Sequence, residues 1–155
     1  MIIQLSQDTD INTLKEITRI HKECIKQINS QYYSNKQIKE WDSLINIKNI
    51  EDQLKNTIWI VIKENNKIIG FGQYSLKDKE IYQIQVDPGM QRKGYGRKIY
   101  EYIEEDFKRN NINEITLLST LNAIAFYKSL GFNIVKHIYF KLKTEEIEMV
   151  KMRKI

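Results

Sequence analysis

The stretch VDPGMQRKGYGRKIYEYIEEDF, Val86 to Phe107, decides how the rest of this chain is interpreted. The chain has 155 residues but only 6 glycines and 1 proline, and the proline and three of the glycines fall between Pro88 and Gly96. Glycine reaches positive φ angles and lets other groups approach the backbone, whereas proline fixes φ. We therefore predict an unusual backbone between a strand ending at Val86 and a helix beginning near Gly94.

The composition is that of an ordinary globular protein. Hydrophobic residues make up 41% and charged residues 29%, which separates the chain from disordered sequences. The longest apolar runs, such as IWIVI at 58–62, are too short to span a bilayer, and MIIQLSQDTD lacks a basic region followed by an apolar one. We predict a single domain over residues 1–155, located in the cytoplasm and without a membrane partner.

Cysteine, histidine and net charge point to no thiol, metal or nucleic-acid chemistry. Cys24 cannot form an internal disulfide, and its place in a helical pattern favours core packing over a nucleophilic role. His21 and His137 have no ligand-spaced partners, so no metal site is predicted. The net charge of +5 fits an anionic partner or simply a lysine-rich composition. Because acids and bases are mixed along the chain, we predict no nucleic-acid partner.

Hydrophobic spacing and turn residues predict alternating helices and strands in a mixed sheet with helices on its faces. The strand at 80–86 alternates Ile81, Gln83 and Gln85 with the residues between them, which predicts two regular faces. Strands at 133–143 and 145–154 could pair between chains or end the sheet, which leaves a homodimer open. The predicted strands are 2–5, 57–64, 67–76, 80–86, 114–119, 133–143 and 145–154. The predicted helices start at Asp8 or Asp10, at Ser34, near Asn49, at Gly94 and near Leu121.

The strand-loop-helix unit around the glycines can hold an anion. Unpaired N–H groups at the start of a helix attract negative charge. Gly94 and Gly96 lack a Cβ atom, which lets a phosphate approach the backbone, while Arg92, Lys93 and Arg97 add positive charge. The GxxxxGK sequence of a P-loop is absent. Taken alone, Gly-Tyr-Gly after a strand also fits a tight turn or a simple helix start.

Two motifs together resemble those of the GCN5-related N-acetyltransferase family. The acyl-CoA-binding signature of that family is Gln or Arg, two variable residues, Gly, one variable residue, then Gly or Ala; here it reads QRKGYG at 91–96. The segment LNAIAFYKSLGFNIV at 121–135 resembles the second signature, an Asn ahead of a short helix that carries Phe-Tyr and ends at Gly-Phe. The order of motifs and elements matches as well. The resemblance implies an α/β fold with a mixed, mostly antiparallel sheet, one splayed parallel pair and helices on both faces.

The resemblance implies an enzyme that moves an acetyl group from acetyl-CoA directly to a primary amine of a small molecule or peptide. Acetyl-CoA would lie in a V between the strand ending at Val86 and the parallel strand at 114–119, with its pantetheine arm on backbone groups and its pyrophosphate on N–H groups of the loop and helix. For Asn122, capping of the following helix is a second role that can coexist with cofactor binding. The implied cofactor-binding residues are Ile84, Val86, Gln91, Arg92, Lys93, Gly94, Tyr95, Gly96, Arg97 and Asn122.

Transfer to an amine requires a base for the amine proton, stabilisation of the oxyanion and a proton for the departing thiolate. By resemblance to histone-type family members the base is Glu80, six residues before Val86. Water as the base, or a glutamate that is merely solvated at the strand start, is the alternative. The matching acid is Tyr127, whose hydroxyl can donate a proton; the alternative is a core tyrosine with a satisfied hydroxyl.

The resemblance implies that the first two helices and their connection cover the acceptor side, and in this chain they carry the aromatic residues His21, Tyr32, Tyr33 and Trp41. Tyr32 and Trp41 are therefore the predicted substrate-binding residues, through cation–π contact with an amine. They fit equally well as core residues between two packed helices. The alternative function is a CoA-binding sensor or regulatory module without catalysis, against which the presence of Tyr127 and Asn122 argues.

Overall fold

Helices and strands follow one another in the predicted order. The computed structural model describes residues 1–155. The strands are β1 (Ile2–Gln4), β2 (Ile58–Glu64), β3 (Lys67–Ser75), β4 (Glu80–Val86), β5 (Ile115–Thr120), β6 (Asn133–Lys141) and β7 (Glu146–Lys154). The helices are α1 (Ile11–Gln27), α2 (Asn35–Asp42), α3 (Ile47–Leu54), α4 (Tyr95–Arg109) and α5 (Ile124–Ser129). Short 3-10 turns lie at Asn29–Gln31, Pro88–Met90 and Leu121–Ala123. None of the helices combines the length and apolar character that crossing a membrane requires.

All seven strands join one sheet in the order β1-β2-β3-β4-β5-β7-β6. Only β4 and β5 run parallel, and every other neighbouring pair is antiparallel. The predicted fold class, with a mixed sheet and one parallel pair, is confirmed. One detail of the prediction is wrong: the last strand, β7, is not an edge. It pairs with β5 on one side and β6 on the other, so β6 alone ends that side of the sheet.

Each face of the sheet carries its own hydrophobic core. Residues of α4 such as Ile99, Ile103 and Phe107 pack with Tyr74 on one face. The other face packs against α1 and α3, and its buried residues are Leu14, Ile17, Ile20, Cys24, Ile50, Trp59, Val61, Ile68 and Phe71. Cys24 is only 2% exposed and belongs to this core, as predicted. Helices therefore cover both faces, because both faces of the central strands carry apolar side chains.

A bulge in β4 opens the sheet beside β5. Gln73 pairs with Gln83, but the next residue, Tyr74, pairs with Ile81, so Tyr82 is an extra residue in β4. Such a bulge bends its strand. Parallel pairing with β5 is limited to Glu80 and Ile81, just before the bulge. The two strands thus separate beyond it, and a cleft can form between them.

The bulge also corrects the predicted alternation of β4. Strict alternation would place Ile81 and Ile84 on opposite faces of the sheet. Both instead pack in the core beneath α4. The extra residue, Tyr82, shifts the alternation of side chains between the two faces by one position, and no periodicity in the sequence reveals this shift.

Helix α2 is attached to the turn between β6 and β7 by polar contacts. Glu40 accepts hydrogen bonds from the backbone of Thr144, from the Thr144 hydroxyl at 2.6 Å and from the backbone of Glu145 at 2.9 Å. Gln37 donates to the Glu146 carbonyl at 2.7 Å. These contacts join two segments that are more than 100 positions apart in the sequence.

Replacing Glu40 by glutamine should destabilise the protein in a pH-dependent way. Although desolvation opposes ionisation, the hydrogen bonds from Thr144 and Glu145 lower the pKa of Glu40 from 4.5 to about 2. A carboxyl group with a lowered folded-state pKa stabilises the fold above its unfolded pKa and loses that contribution as the pH falls through the folded value. We expect Glu40→Gln to melt a few degrees lower near neutral pH, with a difference that shrinks as the pH falls from about 4.5 towards about 2.

Thermal melting followed by circular dichroism across this range would check the prediction. Glu51→Gln is the matched control, since Glu51 is an exposed glutamate of α3 outside this set of contacts. A difference between wild type and Glu40→Gln that stays constant with pH would contradict it.

Candidate active site

The loop after β4 and the first turn of α4 line a cleft of about 390 Å³, here called the loop cleft. Nine of the ten residues predicted to bind the cofactor line it, and Lys93 is the one that does not. Lys93 is exposed instead. The nine are Ile84, Val86, Gln91, Arg92, Gly94, Tyr95, Gly96, Arg97 and Asn122.

The start of α4 presents unpaired N–H groups to this cleft. No side chain caps α4, whereas side chains cap α1, α2 and α3. The first backbone hydrogen bond of α4 runs from the Lys98 N–H to the Gly94 carbonyl at 3.1 Å, which leaves the preceding amides without a helical partner. Arg92 has φ of 62° and Gly94 has φ of 85°, both in the left-handed region. Left-handed residues beside an uncapped helix start turn successive N–H groups towards one point, as in phosphate sites.

Gly94 and Gly96 serve different purposes, although the sequence suggested one purpose for both. A Cβ atom at Gly94 would meet no atom within 4 Å, so the space beside it is open. A Cβ atom at Gly96 would lie 3.3 Å from the Phe126 ring. Gly94 is therefore required for its backbone angle and open space, and Gly96 for the close packing of α4 against α5.

Helix α1 holds the end of β4 and the loop in place. The Val86 carbonyl accepts hydrogen bonds from the Cys24 thiol at 3.1 Å and from the Gln91 side chain at 3.0 Å. Arg19 binds Asp87 at 2.9 Å, and Asp87 in turn accepts from the Gly89 N–H at 3.2 Å. A pantetheine contact at the Val86 carbonyl would have to share that oxygen with two protein donors. Burial raises the pKa of Cys24 to about 12, so it remains a thiol.

A second cavity of about 510 Å³, here called the sheet cavity, lies against the strands next to the loop cleft. Its lining residues come from both ends of the chain, including α1, α2 and the β6–β7 hairpin. The two cavities meet where β4 and β5 separate. Six residues line both: Asn29, Ile84, Gln85, Asn122, Ala123 and Tyr127.

Tyr127 and Asn122 place unused hydrogen-bonding groups at this junction. Tyr127 is 5% exposed, its ring packs against Phe126 and Phe132, and its hydroxyl bonds to no other group of the protein. Burial raises the pKa of Tyr127, which keeps the hydroxyl protonated. The Oδ1 atom of Asn122 is buried and also lacks a partner. Buried polar atoms in proteins are nearly always paired, so the unpaired Asn122 Oδ1, with the free Tyr127 hydroxyl lining the same junction, fits a ligand site.

Glu80 and His21 are the titratable groups of the sheet cavity that could accept a proton. Burial and the neighbouring Asp78 raise the pKa of Glu80, and Lys151 opposes them. Burial lowers the pKa of His21 to about 4 despite the nearby Asp42, so its imidazole is neutral at physiological pH. Glu80, the predicted base, lines the same cavity as Tyr127, the predicted acid. No group of three or more His, Cys, Asp or Glu residues is arranged to hold a metal ion.

Comparison with known proteins adds the family. Residues 17–132 match the acetyltransferase (GNAT) family. This chain belongs to that family. It is 34% identical over 77 residues to a ribosomal protein bS18-alanine N-acetyltransferase of Escherichia coli K12, an alignment of 46% of this chain and 52% of the relative. The chain thus spans about half the length of this curated relative.

Solved GNAT structures share the fold over almost the full length. A GCN5-related N-acetyltransferase from Rhodopseudomonas palustris superposes with a TM-score of 0.90 at 15% identity, covering 99% of this chain and 94% of that one. The PaiA N-acetyltransferase of Thermoplasma acidophilum, solved in complex with coenzyme A, gives 0.77 at 18% identity, with 99% and 98% covered. These likenesses establish the GNAT fold for the chain.

The predicted aromatic residues of this GNAT chain divide between the cavity and the surface. Trp41 lines the sheet cavity, whereas Tyr32 is 55% exposed and lies outside both cavities. Its neighbour Tyr33 is the buried one, at 8% exposure, and its ring meets Trp41 edge-on at 5.3 Å. The Tyr33 hydroxyl donates to the Glu148 carbonyl at 2.6 Å and accepts from the Leu121 N–H at 3.0 Å. Tyr33 therefore supports the cavity wall. Helical spacing did not predict its burial, because a 3-10 turn precedes it and interrupts the helical pattern.

A chain of glutamines along the GNAT sheet was not predicted. Gln85 donates to Gln83 at 3.3 Å, and Gln83 donates to Gln73 at 2.8 Å. Gln73 donates to Gln53 at 3.2 Å and to the Thr57 hydroxyl at 3.1 Å. All five residues line the sheet cavity. The only signal in the sequence was polar residues at alternate positions of an otherwise apolar strand.

Proposed function

We propose that this protein is an acetyl-CoA-dependent N-acetyltransferase that moves an acetyl group directly from CoA to a primary amine of a small molecule or peptide in the cytoplasm. The observation that carries the proposal is the meeting of the two cavities at Tyr127. One cavity carries uncapped N–H groups suited to phosphates, and the other carries a half-buried carboxyl group. The names of the relatives point to the same reaction.

The loop cleft suits the phosphate end of acetyl-CoA. The N–H groups of Tyr95, Gly96 and Arg97 would hold the pyrophosphate, with the Arg92 guanidinium beside them. The unpaired Oδ1 atom of Asn122 would accept a hydrogen bond from a pantetheine amide. When bound, acetyl-CoA supplies an activated thioester for attack by an amine.

Glu80 is the proposed general base. A primary amine is mostly protonated at neutral pH and must lose a proton before it can attack a carbonyl. Because burial and Asp78 raise the pKa of Glu80, its carboxylate is a stronger base than an exposed glutamate. It lines the cavity that the amine would enter.

Tyr127 is the proposed general acid. Its hydroxyl stays protonated and makes no hydrogen bond in the protein, so its proton is available at the junction of the cavities. As the carbon–sulfur bond breaks, the Tyr127 hydroxyl would give this proton to the departing thiolate. This role would account for the Tyr127 hydroxyl, since a phenylalanine ring could make the same packing contacts without it.

Replacing Glu80 by glutamine should lower kcat/KM by about 10²-fold at neutral pH, because the amine then loses its base. The wild-type rate should rise with pH as Glu80 ionises, and the raised pKa of Glu80 should shift this rise to higher pH than for an exposed glutamate. This rise should be absent from the pH profile of Glu80→Gln. The difference in kcat/KM between wild type and Glu80→Gln should shrink at alkaline pH, where the amine is mostly in its free base form. Glu101→Gln, at an exposed position of α4, is the control. An unchanged rate and profile would return the base role to water.

Calorimetry and thiol release test the proposed function. The purified protein is titrated with acetyl-CoA and, separately, with CoA, and thiol release is then followed across a panel of primary amines. We expect saturable binding of acetyl-CoA and release of thiol with at least one amine. Absence of binding would overturn the proposal, and binding without thiol release would support a regulatory CoA-binding module instead.

A homodimer is a further part of the proposal, supported by the open edge of β6. Nearly every residue of β6 is exposed, including Ile134, Val135, Tyr139 and Phe140. An unpaired strand edge with apolar side chains is suited to pairing with another strand. Sedimentation analysis should give twice the chain mass of 18.6 kDa, and the mass of a single chain would contradict it.

A further inference from the structure

The sheet cavity has a single carboxyl group in its lining. That group is Glu80; among the other titratable lining residues, His21 is neutral and burial raises the pKa of both Tyr82 and Tyr127. No lysine, arginine or aspartate lines the cavity. The charges nearest to Glu80 and His21, which belong to Lys151, Asp78 and Asp42, lie outside the lining.

The remaining polar lining is neutral and consists mainly of amides. The glutamine chain from Gln85 to Gln53 passes one hydrogen bond from each side chain to the next. A primary amide has two N–H donors and two acceptor lone pairs, so Gln83, which donates once and accepts once, keeps one N–H and one lone pair unused. Gln73 donates both of its N–H groups, to Gln53 and Thr57, and keeps one lone pair. The chain holds the side chains in place while leaving them able to bind another group.

These features define what the cavity can accept. A carboxylate or phosphate on the acceptor would enter without a cationic partner, and a second ammonium would find no second carboxylate. Desolvating an unpaired charge is costly, whereas a neutral amide or hydroxyl can replace its water contacts with glutamine contacts. Glu80, the one carboxylate, is needed for the reacting amine.

We propose that the acceptor is a monoamine whose body is uncharged and carries an amide or hydroxyl group, bound by Gln83 and its neighbours Gln73 and Gln85. This inference rests on the proposed function and specifies its substrate class. Gln83 is the inner member that still has a free N–H, because it donates only to Gln73 and accepts from Gln85, whereas Gln73 donates to both Gln53 and Thr57. Trp41 and Ile147 contribute apolar surface to the same cavity.

Four matched amines test the inference: leucinamide, leucine, 3-methylbutan-1-amine and 4-methylpentane-1,2-diamine. They share one branched alkyl chain and differ only in the group beside the amine, which is a carboxamide, a carboxylate, a hydrogen or an aminomethyl group. Thiol release gives kcat/KM for each, expressed per concentration of free amine. We expect leucinamide to exceed leucine and the diamine by at least about tenfold.

Substitutions at Gln83 connect this preference to the glutamine chain. In Gln83→Leu the ratio of leucinamide to 3-methylbutan-1-amine should fall by about tenfold. The intrinsic basicity of each amine is the same with both proteins and cancels in this comparison. Gln83→Glu keeps the shape of the side chain, adds a second carboxylate and should shift preference towards the diamine. Gln7→Leu, at an exposed position before α1, should leave every ratio unchanged.

A preference for leucine or for the diamine in the wild type would overturn the inference, as would a ratio that Gln83→Leu leaves unchanged. If acetyl-CoA binds but none of the four amines releases thiol, it is the proposed function that fails for them. Binding of the same amines to the CoA-loaded protein, measured by ligand-observed NMR, then decides the inference. Leucinamide must bind more tightly than the other three and must lose that advantage in Gln83→Leu.

Discussion

Gly94→Val is expected to weaken acetyl-CoA binding by about a hundredfold or more while the protein stays folded. Gly94 has φ of 85°, a conformation that a β-branched residue strongly disfavours. Valine would either force the backbone out of this conformation, turning the N–H groups of α4 away, or place methyl groups in the open space beside the loop cleft. A loss of roughly 3 kcal/mol of binding free energy corresponds to about a hundredfold in Kd.

Calorimetric titration with acetyl-CoA measures this effect, and thermal melting shows whether the fold survives. The strain of valine at this positive φ should lower the melting temperature somewhat, but no atom lies within 4 Å of a Cβ built at Gly94, so no steric clash adds to that cost and the fold should survive. Gly89→Ala is the control in the same loop: Gly89 has no positive φ, and the nearest atom to its Cβ would be Asp87 Oδ1 at 3.8 Å. Wild-type affinity in Gly94→Val would contradict a phosphate site at the start of α4.

Tyr127→Phe is expected to lower kcat by about 10²–10³-fold with almost no change in acetyl-CoA affinity. The substitution removes only the hydroxyl, the proposed proton donor, and keeps the ring that packs on Phe126 and Phe132. Because that hydroxyl has no hydrogen-bond partner in the protein, its loss should not lower the melting temperature. Rate measurements, calorimetry and thermal melting together separate a chemical role from a structural one.

The pH dependence supplies a second test of Tyr127. Burial raises its pKa above the usual value of 10.0, so the proton is lost only as the pH rises past that value. The wild-type rate should therefore show no decline from this group below about pH 10. Tyr139→Phe, at a tyrosine of β6 that is 68% exposed, is the control and should behave as wild type. An unchanged kcat in Tyr127→Phe would remove the proton-donor role.

Local features of this protein were predictable because each depends on a few neighbouring residues. Asp10 and Ser34 cap α1 and α2 as expected, since a cap needs only a side chain and the amides two or three positions on. The QRKGYG segment led to the correct strand, loop and helix for the same reason. The positive φ of Gly94 and the unpaired N–H groups at the start of α4 are properties of a few consecutive residues.

Features of the cavity were not predictable in the same way. The bulge at Tyr82 exists only in the pairing of β3 with β4, and the polar alternation of β4 suggested a regular strand instead. The glutamine chain joins α3, β3 and β4, and no single segment shows it. Helical spacing likewise could not tell Tyr33, which is buried, from Tyr32, which is exposed, across a 3-10 turn.

The family, the order of the elements and the position of the glycine-containing loop before α4 were predictable from the sequence, because the motifs and turns that mark them consist of neighbouring residues. The shape and charge of the sheet cavity, by contrast, became visible only in the folded chain. That cavity depends on contacts between residues that are far apart in the sequence, such as the hydrogen bond between Tyr33 and Glu148, whose residue numbers differ by 115. Which side chains face such a space follows from strand register and helix packing, and these are properties of the whole fold.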